Sequence, residues 1–311
     1  MARFNDPNTM TNVVAFTRAY FDSIFVEERL IGAKLPDLSM ELFGKTFASP
    51  IMTPAFSHLK TFAAERENGL CEYSRAAAEL HQVNWVGMMT NEEYATLSDT
   101  GAQTIRIIKP YADKDEIFSR IAFAQERGAL AVGIDIDHSF GDTGAYDVCG
   151  GYPMISQSVE DLRAYIDFTN LPFVVKGVLS VSDALKCEQA GVSAIVVSHH
   201  HGRMPFAVPP RMVLPDIVRA LGPKRRMKIF VDCSIDSGYD AFKALCLGAD
   251  AVSAGRVLFP DLIRDGCEGV KRCLERMNHE LAQMMAYTGC ATLGAATPAL
   301  LRRADGSKFE E

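Results

Sequence analysis

No apolar run in this chain approaches the roughly 18–20 residues that a membrane-crossing helix needs. The opening MARFNDPNTM also lacks the apolar stretch of a secretory leader, so a cytoplasmic protein is expected. Eight cysteines are present, but none forms a CxxC pair or a zinc-ligand spacing, and they read as reduced thiols packed as small hydrophobes. A positive charge excess is missing too. Lys and Arg number 32 against 39 Asp and Glu, a formal net charge of −7, which leaves no broad basic face for nucleic acid. With 48% hydrophobic and 23% charged residues over 311 positions, disorder, collagen and low complexity are excluded. No Gly-rich phosphate turn follows the first strand-like run, which argues against an open doubly wound sheet.

What is present is a rhythm. Short apolar, β-branched runs recur at 49–56, 83–88, 103–108, 130–136, 172–177, 193–198, 228–232 and 249–255. Each is nearly continuous in apolar residues, as expected of a strand buried on both faces. Amphipathic stretches separate them, such as 114–128, 180–191 and 238–248. The last two end in Gly, a helix C-cap signal, and Ser180 and Ser182 are N-cap candidates. Eight β-α units in series predict an α/β protein built as a closed (β/α)8 barrel. The expected organisation is a mostly helical lead-in over 1–48, a barrel over 49–303 and a polar tail over 304–311 that frays. The lead-in is expected to cover the barrel bottom or flank the site.

In such a barrel the C-terminal ends of the strands share one mouth. The residues falling there include Thr53, Pro54 and Ala55 after the first run and Lys109 and Tyr111 after the third. Asp135, Asp137 and His138 belong to the fourth, and Lys176 ends the fifth. Ser198, His199, His200, His201 and Arg203 follow the sixth, Asp232, Cys233 and Ser234 the seventh, and Gly255 and Arg256 the eighth. A lysine closing an apolar strand points to a bound anion. Adjacent histidines converge poorly on one ion and no HExxH pattern occurs, so no metal is expected, and an acid–base His beside an anion-binding Arg fits better. Loops after strands seven and eight are the usual phosphate cradle of the fold, with Arg256 as clamp. The set describes a phosphate-bearing cofactor lying across the mouth.

The segments VVKGVLSVSDALKCEQAGVSAIVVSHHHGR (174–203) and IFVDCSIDSGYDAFKALCLGADAVSAGR (229–256) closely resemble the FMN-dependent 2-hydroxy acid oxidase/dehydrogenase family, which includes glycolate oxidase and lactate oxidase. The resemblance is strong over 170–260 and weaker back to SPIMTPAF. It implies a TIM barrel holding FMN at the strand C-termini. Position by position, it makes Lys176 the lysine near flavin N1, His200 the catalytic base and Arg203 the partner of a substrate carboxylate. Asp232 would orient both the ribityl hydroxyls and the His. Ser198 opens the family's S-N-H-G-G-R segment, while Cys233 and Ser234 stand where two glycines flank the ribityl-phosphate. Gly255 and Arg256 match the phosphate-binding pair, Thr53, Pro54 and Ala55 the backbone along the flavin edge, and Tyr111 a tyrosine of the mouth. A homo-oligomer is also implied.

Departures from the pattern are numerous. The family's second carboxylate-binding Arg should lie after strand four, where FGDTGAYD (140–147) has no Arg or Lys. Lys109 replaces a Gln that bonds the flavin, and it is expected to face the flavin or to pair with Asp135. Asp236 replaces a phosphate-binding Arg and must point away, and His201 replaces a Gly. The expectation is an FMN oxidoreductase that oxidises a small 2-hydroxy acid or related acid, with His200 as base and flavin N5 as hydride acceptor. Two alternatives stand beside it. One is a flavin-dependent isomerase or reductase of the related barrel group, whose phosphate-rich substrate would want cations that 137–157 lacks. The other is a non-catalytic FMN-binding protein, which has no need of the Lys176, His200 and Arg203 trio. The electron acceptor is not legible in the sequence.

Overall fold

A computed structural model describes residues 12–57, 59 and 66–309. Eight parallel strands make one sheet: β1 (Ile51–Met52), β2 (Asn84–Val86), β3 (Thr104–Ile108), β4 (Ala131–Asp135), β5 (Phe173–Val178), β6 (Ala194–Val197), β7 (Lys228–Val231) and β8 (Ala251–Ser253). From β2 to β8 each strand is hydrogen-bonded to the next, and β8 pairs back onto β1. The remaining seam, β1 to β2, is closed by single bonds. Thr53 N–H donates to the Val83 carbonyl at 3.2 Å and Gly87 N–H to that of Phe56 at 2.9 Å. Thr53 Oγ1 accepts from Trp85 N–H at 3.0 Å, a side chain standing in for a ladder carbonyl. The sheet is a (β/α)8 barrel; seven of its strands fall within the expected runs, trimmed at their ends, and β5 extends one residue past its run to Val178.

Strand side chains alternate between faces, so these continuously apolar strands fill two cores at once. Met52, Trp85, Ile105, Ile107, Val174, Val196 and Phe230 belong to the barrel interior. Ile51, Val86, Ile108, Ile134, Val175, Val197 and Val231 pack against the helices outside. Burial of each such side chain stabilises the fold by about 1.5–3 kcal/mol. Gly133 lets β4 and β5 approach closely, since a Cβ there would lie 2.1 Å from the Val174 carbonyl oxygen. That approach matters for the site, because the next inward pair on these strands is Asp135 and Lys176.

Helices follow every strand. Val181–Ala190 starts at Ser180, whose hydroxyl accepts from Asp183 N–H, and stops at Gly191 with φ 89°. The long Phe259–Tyr287 segment is interrupted at Gly266, and its Val270, Leu274, Met277, Leu281 and Met285 are buried within the chain. That apolar stripe is core.

The lead-in differs from expectation. It contains one helix among its described residues, Val13–Asp22, and the rest is extended or irregular. Ile24–Val26 pairs antiparallel with Leu301–Arg303, and Met40–Leu42 forms a hairpin with Lys45–Phe47. Phe43 and Gly44 turn that hairpin with φ 49° and 77°, the left-handed pair of a tight two-residue turn. Met40, Leu42 and Phe47 join the interior core and close the barrel where its strands begin. Helix Val13–Asp22 sits at the opposite end, with Thr17 Oγ1 2.8 Å from His199 Nε2. The tail does not fray through Phe309, which is buried, with the Arg303 guanidinium over its ring. Residues 1–11 and 310–311 lie outside the described residues. Among those described, no helix is long and apolar enough to cross a membrane.

Candidate functional site

The alternation that fills the barrel also builds the mouth. One inward step beyond the interior core, the side chains turn polar: Lys109 beyond Ile107, Asp135 beyond Gly133, Lys176 beyond Val174, Ser198 beyond Val196, Asp232 beyond Phe230. Lys109, Asp135 and Lys176 are only 5%, 2% and 6% exposed, so their charges must compensate one another. Lys109 Nζ lies 2.8 Å from Asp135 Oδ2, one of the two placements expected from the sequence. Lys176 Nζ lies 3.4 Å from Asp135, 3.8 Å from Asp137 and 3.9 Å from Asp232. Burial disfavours the charged form of Lys176, but the three carboxylates outweigh it and hold its pKa above the ordinary value. Asp135 shows the converse: burial would raise it, and Lys109 with Lys176 keeps it well below the carboxylate range.

His200 stands over this group on left-handed backbone, φ 47°. Its N–H donates to Ser198 Oγ at 3.1 Å, and its Nδ1 lies 2.8 Å from Asp137 Oδ1 and 3.2 Å from Lys176 Nζ. Burial and Lys176 push the imidazole toward neutrality, yet Asp137 and Asp135 raise its pKa above the usual value. The other two histidines behave differently. Burial draws both His199 and His201 down to about 4, so neither is charged near neutrality.

Arg203 is held back against the loop after β4. Its Nε donates to the Asp137 carbonyl and its Nη2 to that of Phe140, both at 2.7 Å, and Nη2 also pairs with Asp147 Oδ2. Asp147 further meets His138 Nδ1 at 3.1 Å and the Cys149 thiol at 3.3 Å. Burial would raise the Asp147 pKa, but the Cys149 and His138 bonds and the Arg203 charge bring it down to about 2. Burial lowers His138 to about 3, with Lys109 adding to the effect.

The expected residues are therefore only partly brought together. Lys109, Lys176, Ser198 and His200 converge. Asp232 reaches toward Lys176 and accepts the Cys233 thiol at 2.9 Å, while the carboxylate that orients His200 is Asp137. Tyr111 is 1% exposed with an unpartnered hydroxyl, edge-on to Tyr152 at 5.3 Å, and makes no hydrogen bond to His200 or Arg203. Thr53 spends its hydroxyl on Asn84 at 2.7 Å and on the seam, leaving its backbone with Pro54 and half-buried Ala55 at the rim. At the far side Cys233 and Ser234 adopt φ 67° and 55°, glycine-like backbone carried by side-chain-bearing residues. Gly255 borders open space, and exposed Arg256 leans on His201. Asp236 turns aside, 3.7 Å from Arg18 of helix Val13–Asp22.

Two contributors, Asp147 and Arg211, are not among the mouth residues expected from the sequence, and Asp137 is among them without a stated role. The D-x-D-H run after β4 signalled Asp137, but nothing in the spacing of Asp147 predicts its return to Arg203. Arg211 is fully buried over the Phe21 ring and donates to the Cys233 carbonyl, fixing the turn after β7. Two donor sets also converge, Asp135 with Asp137, His138 and His200, and His138 with Asp147 and Cys149. Lys109, Lys176 and Arg203 already neutralise their carboxylates, which makes both sets hydrogen-bonded ion pairs.

The profile of the FMN-dependent dehydrogenases matches residues 8–155 and 154–303. A peroxisomal (S)-2-hydroxyacid oxidase of Arabidopsis thaliana is 27% identical, with the alignment covering 94% of this chain and 87% of that protein. 4-Hydroxymandelate oxidase of Amycolatopsis orientalis is 28% identical, covering 93% and 89%. A solved structure of a mandelate oxidase variant with the monooxide FMN adduct superposes with a TM-score of 0.82 at 28% identity, covering 93% of this chain and 90% of the other.

Proposed function

Since the chain belongs to the FMN-dependent dehydrogenase family, an oxidoreductase family with FMN as cofactor, we propose that it oxidises a small 2-hydroxy acid or a related compound at the carbon bearing the hydroxyl, with His200 as base. The mouth fits the cofactor at both ends. Lys176 supplies a buried cation for the ring end. Gly255, the glycine-like turn at Cys233 and Ser234, and Arg256 leave a cationic, open-backboned cradle for the phosphate. Ser198, Lys109, Asp232 and the Thr53–Ala55 backbone would line the space between.

When bound, FMN would supply the two-electron acceptor that the oxidation needs, with flavin N5 as the expected hydride acceptor. The chain's own residues prepare the substrate. Asp137 fixes the His200 ring through Nδ1, and Nε2, which makes no hydrogen bond among the described residues, is the atom that would take the proton. Lys176 keeps its charge inside the acidic ring and favours negative charge developing beside it. The observation that carries the reading is this His200–Asp137–Lys176 arrangement, an imidazole with a fixed orientation beside a permanently charged ammonium. We also take the chain to be a cytoplasmic homo-oligomer. Free thiols support the compartment, and the family resemblance supports the assembly.

The pH dependence tests the base. His200 must be neutral to accept a proton, and its pKa is raised above the ordinary imidazole value of about 6.5. Anaerobic flavin reduction is expected to be slow in acid and to rise through a midpoint above that value. A flat profile from acid to alkali would remove His200 from the role. A second test addresses the phosphate. Arg256→Ala is expected to weaken FMN retention by about tenfold, the loss of one charge-assisted contact, as measured by equilibrium dialysis. Equal retention would place the phosphate elsewhere.

A further inference from the structure

We infer that the group this site recognises beside the reacting carbon is a neutral carbonyl, an ester or amide of a 2-hydroxy acid, and that Asp147 sets this preference. The inference rests on the functional reading above and narrows its substrate. Four carboxylates surround the mouth, Asp135, Asp137, Asp147 and Asp232, against three cations, Lys109, Lys176 and Arg203. With His200 in the neutral form that accepts the proton, the group carries one negative charge in excess. A free carboxylate entering it would raise that excess in a partly desolvated space, where like charges cost most.

None of the three cations is left over to receive it. Lys109 and Lys176 are buried against carboxylates carried on or just after other strands, Asp135 for both and Asp137 and Asp232 for Lys176. Arg203, the cation best placed after β6, is neutralised by Asp147 and anchored on two backbone carbonyls. The loop that supplies Asp147 adds no Lys or Arg between 137 and 157. Arg203 Nη1 takes none of these bonds, so it can still donate one hydrogen bond to a carbonyl oxygen. Such an oxygen needs a donor and not a counter-ion.

The test uses FMN-loaded protein and ligands that have no hydroxyl to oxidise, so that binding is read without turnover. Calorimetric titration compares phenylacetamide with phenylacetate, and propionamide with propionate. The amide of the better-fitting pair is expected to bind at least about tenfold more tightly than its acid. In Asp147→Asn, which releases the Arg203 charge, acid affinity is expected to rise by about tenfold while amide affinity changes by less than about threefold. Acids binding as tightly as amides in the unmodified protein, no binding by either pair, or an Asn variant that leaves the acid unchanged would each overturn the inference. The oxidase reading fails separately: flavin that no 2-hydroxy compound reduces, with the amide preference intact, would remove that reading and leave this one standing.

Discussion

His200→Asn is expected to leave FMN bound and to slow its anaerobic reduction by substrate about 10²–10⁴-fold, the scale of general acid–base catalysis. Asn is close to imidazole in size and can still hydrogen-bond Asp137, so the mouth should keep its shape while losing the imidazole proposed to take the proton. His199 and His201 do not substitute. His199 is buried with its Nε2 on Thr17, and His201 leans on Arg256. Rapid-mixing absorbance at the flavin band measures the effect. A rate within threefold of the unmodified protein would assign the base elsewhere.

Lys176→Met should act on stability. The side chain is 6% exposed and faces Asp135, Asp137 and Asp232. Met fills a similar volume but leaves those carboxylates short of a counter-charge, and Lys109 reaches only Asp135. Removing one partner from a buried ion cluster costs about 3–5 kcal/mol. Chemical denaturation without cofactor should show that loss at pH 7. The sign with pH follows from Asp135, whose folded pKa is held low by the two lysines although burial would raise it. Such a carboxylate contributes stability above its unfolded pKa of about 3.9, and the contribution disappears as pH falls through the lower folded value. The gap between the two proteins is therefore expected to be full at neutrality and to narrow below about pH 4. A gap that is constant with pH would mean that Lys176 acts through packing alone.

The barrel was readable because its strands are buried on both faces. Apolar runs such as VVKG and AIVV leave no second interpretation once eight of them alternate with helices. The same parity that buries Val174 and Val196 places Lys176 and Ser198 inward, so the floor of the mouth followed from the strand pattern. The parts that were not readable depend on chain reversals. Asp137 reaches His200 because a short 3-10 turn, Ile136–His138, follows β4 and because His200 adopts left-handed backbone, which no periodicity announces. Asp147 meets Arg203 through the hairpin Val148–Cys149 with Tyr152–Pro153, two strands of two residues each. In the lead-in, MELFGKTF carries a Phe-Gly turn between alternating residues. That local signal identifies the hairpin, and a helical reading of the whole segment passes over it.

We propose that an isoalloxazine ring lies in the mouth where His200 and Lys176 converge and is reduced there by 2-hydroxy compounds. An absorbance spectrum of the FMN-loaded protein, recorded without oxygen before and after adding mandelate, lactate, glycolate and their esters and amides, addresses it most directly. The flavin band should bleach with at least one of them and stay intact in His200→Asn. A yellow protein that dithionite bleaches and none of these compounds touches would contradict it.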